Sequence, residues 1–388
     1  MNYEAIFQRH VDFAYECLCE HQKGKSFSFT INQYLKRHKK FGSRDRKVIR
    51  ELCFCWFRLG FSFLFLEKRD QIIWAYTLLN QPEKKLVSDA LLEEIIHLET
   101  SQKWQFIEQQ FDWKLVDIFP FFDSISIQLD KEVFFEYVLS QPKLWVRVKN
   151  KKQKLPTKAL ELIGKQDINA PINLSYSTNL SGFESILEVQ DFSSQTVLAK
   201  ALNFSFSTLW DCCSGSGGKS LFILENKDNV KVYATDIRTS ILQNFMERTA
   251  RLKHCRSTLV CDISEEKKEL LFPEKKIGKN FFDFIVADVP CTGSGTWNRN
   301  PEFKYCFLGD IEKYAELQKR ILRNSWQFLK PGGVLLYSTC SVYAMENEDI
   351  VNEFVKQQKS EIIEIGYIDG SRHQSDSMFY AYVRKMEK

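Results

Sequence analysis

Early proline, long apolar runs and a secretory signal are what this sequence lacks. No proline precedes Pro82, so nothing interrupts helix formation before it. The most apolar run, residues 52–66, is shorter than the roughly 20 residues that a helix needs to cross a bilayer, and Arg58 interrupts it. Residues 1–12 carry charged side chains with no apolar run behind them, unlike a secretory signal. We therefore expect no membrane contact and a cytoplasmic location.

Metal-ligand spacings are also missing, although the chain has eleven cysteines and six histidines. No Cys-x-x-Cys motif occurs, and the histidines show no ligand spacing. Two Cys-x-Cys pairs, Cys17/Cys19 and Cys53/Cys55, lie in helix-like apolar stretches, where cysteine acts as a small hydrophobe. In a long chain without secretory features, cysteines are expected to be free thiols. We expect no metal site and a reducing environment.

The composition that is present is that of a globular protein with a basic bias in two places. The 388 residues include 44% hydrophobic and 27% charged side chains, enough for a buried core and for two or three domains. Residues 1–60 hold twelve Lys or Arg against six acids, although the whole chain has a net charge of only +4. Residues 143–165 hold eight basic residues against one acid. Such runs are typical of a solvated face or of an RNA-contacting surface, and both interpretations stay open here.

The hydrophobic pattern changes along the chain. Apolar residues recur at helical spacing in the first part, and residues 83–135 continue as a helical, aromatic-rich pattern. From about residue 205, strand and helix patterns alternate, which predicts a parallel doubly wound sheet that binds ligands at the carboxyl ends of its strands. We predict a helical domain over residues 1–138, a small α/β subdomain over 139–195 and a Rossmann-like domain over 196–388.

A glycine-rich turn follows the first predicted strand of that sheet. The residues expected to face a ligand there are Cys213, Ser214, Gly215, Ser216, Gly217, Gly218 and Lys219. Glycines let a backbone approach a ligand closely, and the helix that follows offers unpaired N–H groups. Asp236 ends the second strand about 20 residues after Gly215, the spacing at which an acid binds a ribose diol. The pattern fits a dinucleotide, a phosphate or S-adenosylmethionine equally, but not a Walker loop.

Two cysteines follow two other predicted strands. Cys291 lies in the segment Asp288-Val289-Pro290-Cys291, and Cys340 lies in Ser338-Thr339-Cys340-Ser341. Strands of one parallel sheet end at the same edge, so we expect both thiols to face the cofactor crevice. A single buried cysteine is usually inert packing. Two at equivalent strand ends point instead to covalent catalysis.

Cytosine carbon 5 is a reaction centre that needs such a thiol. It is a poor nucleophile, and a thiolate that adds to carbon 6 makes carbon 5 nucleophilic. Asp288 is suited to stabilise the charge that develops near N3 and the exocyclic amine. A second thiol would assist release of the product, and the base must be single-stranded or extruded from its helix.

These motifs together resemble the RsmB/Sun (Fmu) family of ribosomal RNA cytosine carbon-5 methyltransferases. The resemblance spans most of residues 141–388. The segments that carry it are Glu188–Asp191, Ser193–Gln195, Cys213–Lys219, Asp288–Gly295, Lys330–Gly333, Ser338–Ser341, Glu346–Glu348 and Phe379–Ala381. More weakly, Asp45-Arg46 and Ile49–Leu52, followed by Arg58, resemble the NusB-like helical domain of bacterial members. The resemblance implies a class I (Rossmann-like) methyltransferase sheet with S-adenosylmethionine as cofactor.

Carried over to this sequence, the resemblance implies specific roles. Cys340 would be the nucleophile and Cys291 the cysteine that aids product release. The cofactor would lie against residues 213–219, Asp236, Asp262 and Asp288. The residues implied to lie near RNA are Arg147, Arg299 and Lys304.

Three positions depart from the family pattern. Ser216 stands where proline is usual in the glycine turn, which affects the rigidity of that turn. Asn298 stands where an arginine is common. Lys149-Asn150 follows Arg147-Val148 where the family has Arg-Val-Asn, which blurs the register of the subdomain.

The resemblance implies an enzyme that methylates carbon 5 of a cytidine in ribosomal RNA, with 16S RNA as the expected substrate. We expect this enzyme to be a monomer. A transfer RNA substrate requires the same chemistry, so the sequence leaves it open. A non-catalytic, RNA-binding ribosome assembly factor on the same fold is the alternative from another class of function.

Overall fold

The computed structural model describes residues 3–22, 25–80, 90–111, 115–150, 154–250, 252, 256–306 and 310–387. The chain divides into two compact units. One consists of residues 1–124, 135–141 and 296–308, and the other of residues 125–134, 142–295 and 309–388. None of the described helices is both long enough and apolar enough to span a membrane.

The first unit is helical, as the proline-free pattern predicts. Its helices are α1 (Tyr3–Glu20), α2 (Phe27–Arg37), α3 (Ser43–Arg58), α4 (Lys68–Leu79), α5 (Ala90–Ile95), α6 (Thr100–Gln110) and α7 (Leu115–Ile118); α8 (Lys131–Leu139) joins the two units along the chain. The faces spaced at three and four residues are buried, as Ala14 and Cys17 of α1 and Leu52 and Cys53 of α3 show. Burial raises the pKa of the Cys53 thiol, so this cysteine is a hydrophobic core residue.

Residues 296–306 also belong to the helical unit, although the sequence placed them in the Rossmann-like domain. The Tyr305 ring stacks on Trp56 with their centroids 5.5 Å apart, and the Tyr305 hydroxyl donates a hydrogen bond to the Gly60 carbonyl. Glu302 is buried and accepts a hydrogen bond from the Phe27 amide at 3.0 Å. The segment that follows the Cys291 loop is therefore part of a helical core.

The second unit contains a seven-stranded sheet. Its strands are β4 (Thr208–Asp211), β5 (Lys231–Asp236), β6 (Arg256–Val260), β9 (Phe282–Asp288), β10 (Leu329–Thr339), β11 (Ser360–Ile368) and β12 (Met378–Lys385), and their order is β11-β12-β10-β9-β4-β5-β6. A hairpin of β7 (Leu270–Phe272) and β8 (Lys275–Ile277) follows β6.

One strand corrects the prediction of a fully parallel sheet. Strand β12 runs antiparallel to both β10 and β11. Parallel strands need a crossover of about a dozen residues or more, and only residues 369–377 join β11 to β12. The short connection therefore dictates the antiparallel pairing.

Helices cover both faces of this sheet. The helices are α10 (Phe192–Ala201), α11 (Gly218–Asn226), α12 (Thr239–Arg248), α13 (Ile311–Trp326) and α14 (Glu348–Gln357). One core joins α10, α11 and α12 to Phe284 and Val286 of β9, and the other joins α13 and α14 to Ile285 and Ala287 of the same strand. Consecutive residues of β9 thus point to opposite cores, as a strand buried on both faces requires.

A small antiparallel sheet precedes the large one in the same unit. It has the order β2-β1-β3, with β1 (Leu144–Val148), β2 (Ile172–Leu174) and β3 (Leu187–Val189), and it is accompanied by α9 (Thr157–Ile163). Val146, Val148 and Ile163 belong to its own hydrophobic cluster. Part of the basic run, residues 151–153, lies outside the described residues.

Candidate active site

The chain order of the sheet reverses between β4 and β9, and a cleft opens at the carboxyl ends of these strands. Its volume is about 650 Å³. The residues predicted from the sequence that line it are Cys213, Ser214, Gly215, Ser216, Gly218, Lys219, Asp236, Asp262 and Asp288. Gly217, which was also predicted to face the ligand, does not line the cleft.

The glycine turn has a backbone that only glycine adopts without strain at two points. Gly215 and Gly217 have φ angles of +52° and +84°. A Cβ atom on Gly217 would lie 2.2 Å from the Phe245 ring, so this glycine allows the turn to pack against α12. The Ser214 amide donates to the Thr235 carbonyl at 2.9 Å, which fixes the turn to the end of β5.

Asp236 is an ionised acceptor at the edge of the cleft. Its carboxylate accepts hydrogen bonds from the Gly215 amide at 3.0 Å and from the Arg238 guanidinium at 3.0 and 3.1 Å. Burial alone would raise the pKa of Asp236, but these hydrogen bonds outweigh burial and lower it. The predicted spacing between glycine turn and acid therefore corresponds to a direct contact, and an ionised carboxylate is the group that binds a ribose diol.

Apolar residues that the sequence reasoning missed complete the cleft. They are Ile237, Ile263, Leu317 and Ile321. Ile237 directly follows Asp236 and is 63% exposed, an unusual position for a large apolar side chain. Its place immediately after the predicted ribose-binding acid is the sequence signal by which it could have been found. A flat, apolar base fits between such side chains.

Asp288 and Lys219 form an ion pair at the end of β9. The Lys219 ammonium donates to one Asp288 oxygen at 2.5 Å, and the Ser338 hydroxyl donates to the other at 3.0 Å. Burial alone would lower the pKa of Lys219, but the neighbouring carboxylates of Asp288 and Asp211 outweigh it and raise the pKa. Lys219 therefore stays cationic, and it also interacts electrostatically with Cys340.

The two cysteines meet, as their positions at neighbouring strand ends predict. The Sγ atoms of Cys291 and Cys340 are 3.4 Å apart, and both residues are partly exposed. The hydrogen bond to Cys340, burial and the nearby Glu346 charge all raise the pKa of the Cys291 thiol. Cys291 is therefore a protonated thiol that can donate a hydrogen to the sulfur of Cys340.

The main chain sets the spacing of the cysteine pair. The Gly295 amide donates to the Cys340 carbonyl at 2.8 Å, and the Ser377 amide donates to the Gly295 carbonyl at 3.0 Å. A Cβ atom on Gly295 would lie 2.2 Å from the Ser377 carbonyl oxygen. The loop after Cys291 thus packs by its backbone against Cys340 and against the residue directly before β12.

Glu346 is a buried hub between these two loops, and the sequence reasoning assigned it no role. One carboxyl oxygen accepts from the Thr292 amide and from Gln318 Nε2, both at 2.9 Å. The other accepts from the hydroxyls of Thr292, at 2.6 Å, and Ser341. Thr292 and Ser341 each directly follow one of the two cysteines, so this one side chain ties both loops together.

Asp211 gives the site a pH-sensitive element. It ends β4, and its Oδ2 accepts from the Ser220 hydroxyl at 2.7 Å, whereas its buried Oδ1 has no hydrogen-bond partner among the described residues. Burial raises the pKa of Asp211 to about 7. In the unfolded chain the carboxyl titrates near 4.

We therefore expect the stability of the protein to fall as the pH rises from about 4 to 7, because over this range the folded state holds a proton that the unfolded state has lost. The Asp211 contribution is at most about 1.4 kcal/mol per pH unit. Urea unfolding should show that the free energy of unfolding of Asp211→Asn, minus that of the natural protein at the same pH, is larger at pH 8 than at pH 5. Asp228→Asn, at an exposed position, is the control. Equal differences at both pH values would contradict the assignment.

Two of the three residues predicted to lie near RNA are instead buried, which corrects the prediction. Arg147 is 2% exposed and bonds Gln190 at 2.6 Å and Glu225. Lys304 is 0% exposed and donates to the carbonyls of Arg58 and Ile118 at 2.8 and 3.2 Å. Burial and then the Arg58 charge lower the pKa of Lys304 well below its ordinary value. Neither side chain is displayed to a phosphate.

Two further positions in the segment that follows the Cys291 loop, Arg299 and Asn298, are not fully exposed to solvent either. Arg299 is partly buried. Asn298, where the family often has arginine, is 1% exposed. Within the described residues, no group of His, Cys, Asp or Glu side chains is arranged to hold a metal ion.

The sheet order and the cleft at its carboxyl edge define the class I methyltransferase fold, as predicted. A protein designated PH0851 has the same fold over 98% of both chains, with a TM-score of 0.68 and 19% identity. The structure of NSun6 from Pyrococcus horikoshii with SFG matches 69% of this chain and 97% of that one, with a TM-score of 0.52 and 16% identity. These similarities concern the fold alone.

A comparison with protein families matches part of the sequence. Residues 201–384, a little less than half of the chain, match the family described as 16S rRNA methyltransferase RsmB/F, which is the family that the motifs resemble.

Two curated relatives extend the comparison. Ribosomal RNA small subunit methyltransferase B of Shewanella oneidensis is 29% identical over 271 residues, which is 63% of this chain and 61% of that protein. The protein of the same name from Cronobacter sakazakii is 31% identical over 230 residues, 56% of this chain and 52% of that one. The chain thus spans little more than half of the length of these relatives.

Proposed function

We propose that this protein methylates carbon 5 of a cytidine in ribosomal RNA, 16S RNA in particular, with S-adenosylmethionine as cofactor. The observation that carries the proposal is the pair of sulfur atoms 3.4 Å apart, beside the ion pair of Lys219 and Asp288 at the cofactor cleft. A single nucleophilic cysteine serves many reactions. Two thiols in contact beside a carboxylate suit addition to a pyrimidine ring followed by elimination.

The cleft fits the cofactor by volume and by chemistry. The glycine turn offers backbone close to the ligand, the Asp236 carboxylate suits the ribose, and Asp262 with Ile237 and Ile263 suits the adenine side. When bound, S-adenosylmethionine supplies an electrophilic methyl group.

The protein residues then carry out the steps at the base. The Cys340 thiolate forms a bond to carbon 6, and the electron pair displaced from the ring makes carbon 5 nucleophilic. The Asp288 carboxylate, held by Lys219 and Ser338, orients the base at its exocyclic amine. After carbon 5 has gained its methyl group, the bond between carbon 5 and its hydrogen and the bond between carbon 6 and sulfur both break, which restores the double bond of the ring. The Cys291 thiol donates its hydrogen to the departing Cys340 sulfur, and the Cys291 sulfur takes up the proton that leaves carbon 5.

We also propose that residues 1–138 and 139–195 dock the RNA through phosphate contacts. The basic runs at residues 1–60 and 143–165 support this, but exposed lysines of the second run replace Arg147 and Lys304 as candidates. Lys143, Lys154, Lys158 and Lys165 are exposed there. Such contacts position an RNA without reading its sequence. The monomeric state stays a prediction.

The test is methylation in vitro with the purified full chain. Radiolabelled S-adenosylmethionine is offered with unmodified 16S RNA, with small ribosomal subunits and with bulk transfer RNA, and bisulfite sequencing locates the product. We expect label at carbon 5 of a cytidine in 16S RNA. Label in transfer RNA alone would overturn the substrate, and binding of RNA with no methylation of any substrate would favour an assembly factor.

A further inference from the structure

Ser216, where the family usually has proline, is fixed in this protein by an arginine. The terminal nitrogen NH1 of Arg248 donates to the Ser216 carbonyl at 2.6 Å and to the Ser216 hydroxyl at 2.7 Å. Arg248 is the last residue of α12, so its guanidinium reaches the glycine turn from a neighbouring helix. Ser216 lines the cofactor cleft, whereas Arg248 is not among the residues that line it.

The same guanidinium is anchored on its other side. Its second terminal nitrogen donates to Glu188 of β3, which is 8% exposed and also pairs with Lys149 at 2.7 Å. Burial alone would raise the pKa of Glu188, but Lys149 and Arg248 outweigh burial and lower it. Glu188 therefore stays charged, and its position holds the guanidinium toward Ser216.

We propose that Arg248 is a positioning residue for cofactor binding, and that its two hydrogen bonds to Ser216 give this turn the rigidity that a proline ring at position 216 would give it. The inference rests on the proposed role of the glycine turn in binding the cofactor. Proline restricts a turn through its ring, which fixes φ. Here, charge-assisted hydrogen bonds to both oxygens of Ser216 restrict the same residue. A turn that is already ordered loses less conformational entropy when a ligand binds.

The chemistry of the arrangement predicts an exchange between the two devices. We expect Arg248 to make serine sufficient at position 216, and Ser216→Pro to restore the order of a turn that has lost that arginine. If Arg248 only stabilised α12, a proline in the turn would not compensate for its loss. The double variant therefore separates positioning from a general structural role.

The test uses the variants Arg248→Gln, Ser216→Pro and the double variant, with calorimetric affinity for S-adenosylmethionine as the main measurement. We expect Arg248→Gln to weaken binding by about tenfold, which corresponds to about 1.4 kcal/mol, because the freed turn then loses more conformational entropy when the cofactor binds. The double variant should return to within about threefold of the natural protein. Arg248→Lys keeps the charge but not the two-pronged guanidinium group. Its affinity should lie between that of the natural protein and that of Arg248→Gln.

Arg256→Gln is the matched control. Its guanidinium also bonds to the end of α12, at the Thr249 carbonyl 3.1 Å away, but makes no hydrogen bond to the glycine turn. We expect its cofactor affinity to be unchanged. Natural affinity in Arg248→Gln, or a double variant that binds as weakly as the single one, would overturn the inference.

A second measurement keeps this test separate from the proposed function. Hydrogen exchange of residues 213–219 in the protein without cofactor should be faster in Arg248→Gln and slow again in the double variant. If the natural protein fails to bind S-adenosylmethionine, the proposed function fails, but the exchange rates still test the positioning of the turn. Unchanged exchange in Arg248→Gln would refute the positioning role by itself.

Discussion

Replacing Cys291 with alanine is expected to leave the protein covalently bound to its RNA. The Cys340 sulfur would still add to the pyrimidine ring, but the thiol 3.4 Å away that donates a hydrogen to it on departure would be gone. Loss of a positioned proton donor typically costs 10²–10⁴-fold in rate, so the adduct should accumulate. Denaturing gels with labelled RNA would show it as a band that depends on S-adenosylmethionine.

Replacing Cys340 with alanine should instead abolish adduct and product together. Removal of a covalent nucleophile lowers turnover by roughly 10⁴-fold or more. Cys306→Ala is the control, because Cys306 is a partly exposed cysteine of the helical unit, outside the cleft. If an adduct forms in Cys340→Ala but not in Cys291→Ala, the two assigned roles must be exchanged. If an adduct forms in both variants, the assigned roles are refuted.

Replacing Glu346 with alanine is expected to lower both stability and activity. The change would leave the buried donors of Thr292, Ser341 and Gln318 without their acceptor, and each unsatisfied buried group costs about 1–3 kcal/mol. We expect a loss of about 3–5 kcal/mol in the free energy of unfolding, measured with urea. Catalysis should fall further than stability explains, because the loops of both cysteines lose their common anchor.

Two further variants make the Glu346 result interpretable. Glu346→Gln keeps the volume and one acceptor oxygen, so it should fold and permit kinetic measurements. Glu361→Ala removes an exposed glutamate that pairs with Arg384 at 3.3 Å on the surface, and should change stability by less than about 1 kcal/mol. If Glu346→Ala unfolds at the same urea concentration as the natural protein, Glu346 does not stabilise the fold.

The sequence was sufficient for the parts of the site that depend on short-range rules. The interval between Gly215 and Asp236 predicts that turn and acid meet, and the structure joins them by a hydrogen bond of 3.0 Å. The two cysteines each follow a strand end, and those strands, β9 and β10, are parallel neighbours. Parallel neighbours bring the residues after them together, so the thiol pair was predictable in kind. The chemical roles of these residues stay predictions.

The runs of basic residues predicted the RNA-contacting residues poorly, because a run does not show which side chains form buried ion pairs or hydrogen bonds. Arg147 lies within a basic run, but its buried partner Glu225 lies 78 residues further along the chain. Lys304 donates to carbonyls at Arg58 and Ile118, 246 and 186 residues away. Partners so distant in sequence leave no local signal, and a buried cation without them would be too costly.

Long-range connections also decided the details of the fold that were missed. Strand β11, at the sheet edge, has no regular alternation of apolar and polar residues, and its pairing with β12 depends on the tertiary arrangement. Glu346 stands in a motif that the sequence already singled out, yet its function as a hub appears only when residues 292, 318 and 341 come together around it.

The backbone contact at Gly295 has a consequence for how this site tolerates change. The amide of Gly295, in the loop after Cys291, donates to the carbonyl of Cys340, so this link between the two cysteines is made by main-chain atoms. Substitution of a neighbouring side chain leaves this hydrogen bond in place, whereas loss of the Glu346 carboxylate removes the side-chain contacts that hold the same two loops. The separation of the two thiols therefore depends on one main-chain link that most substitutions preserve and on one side chain that a single substitution removes.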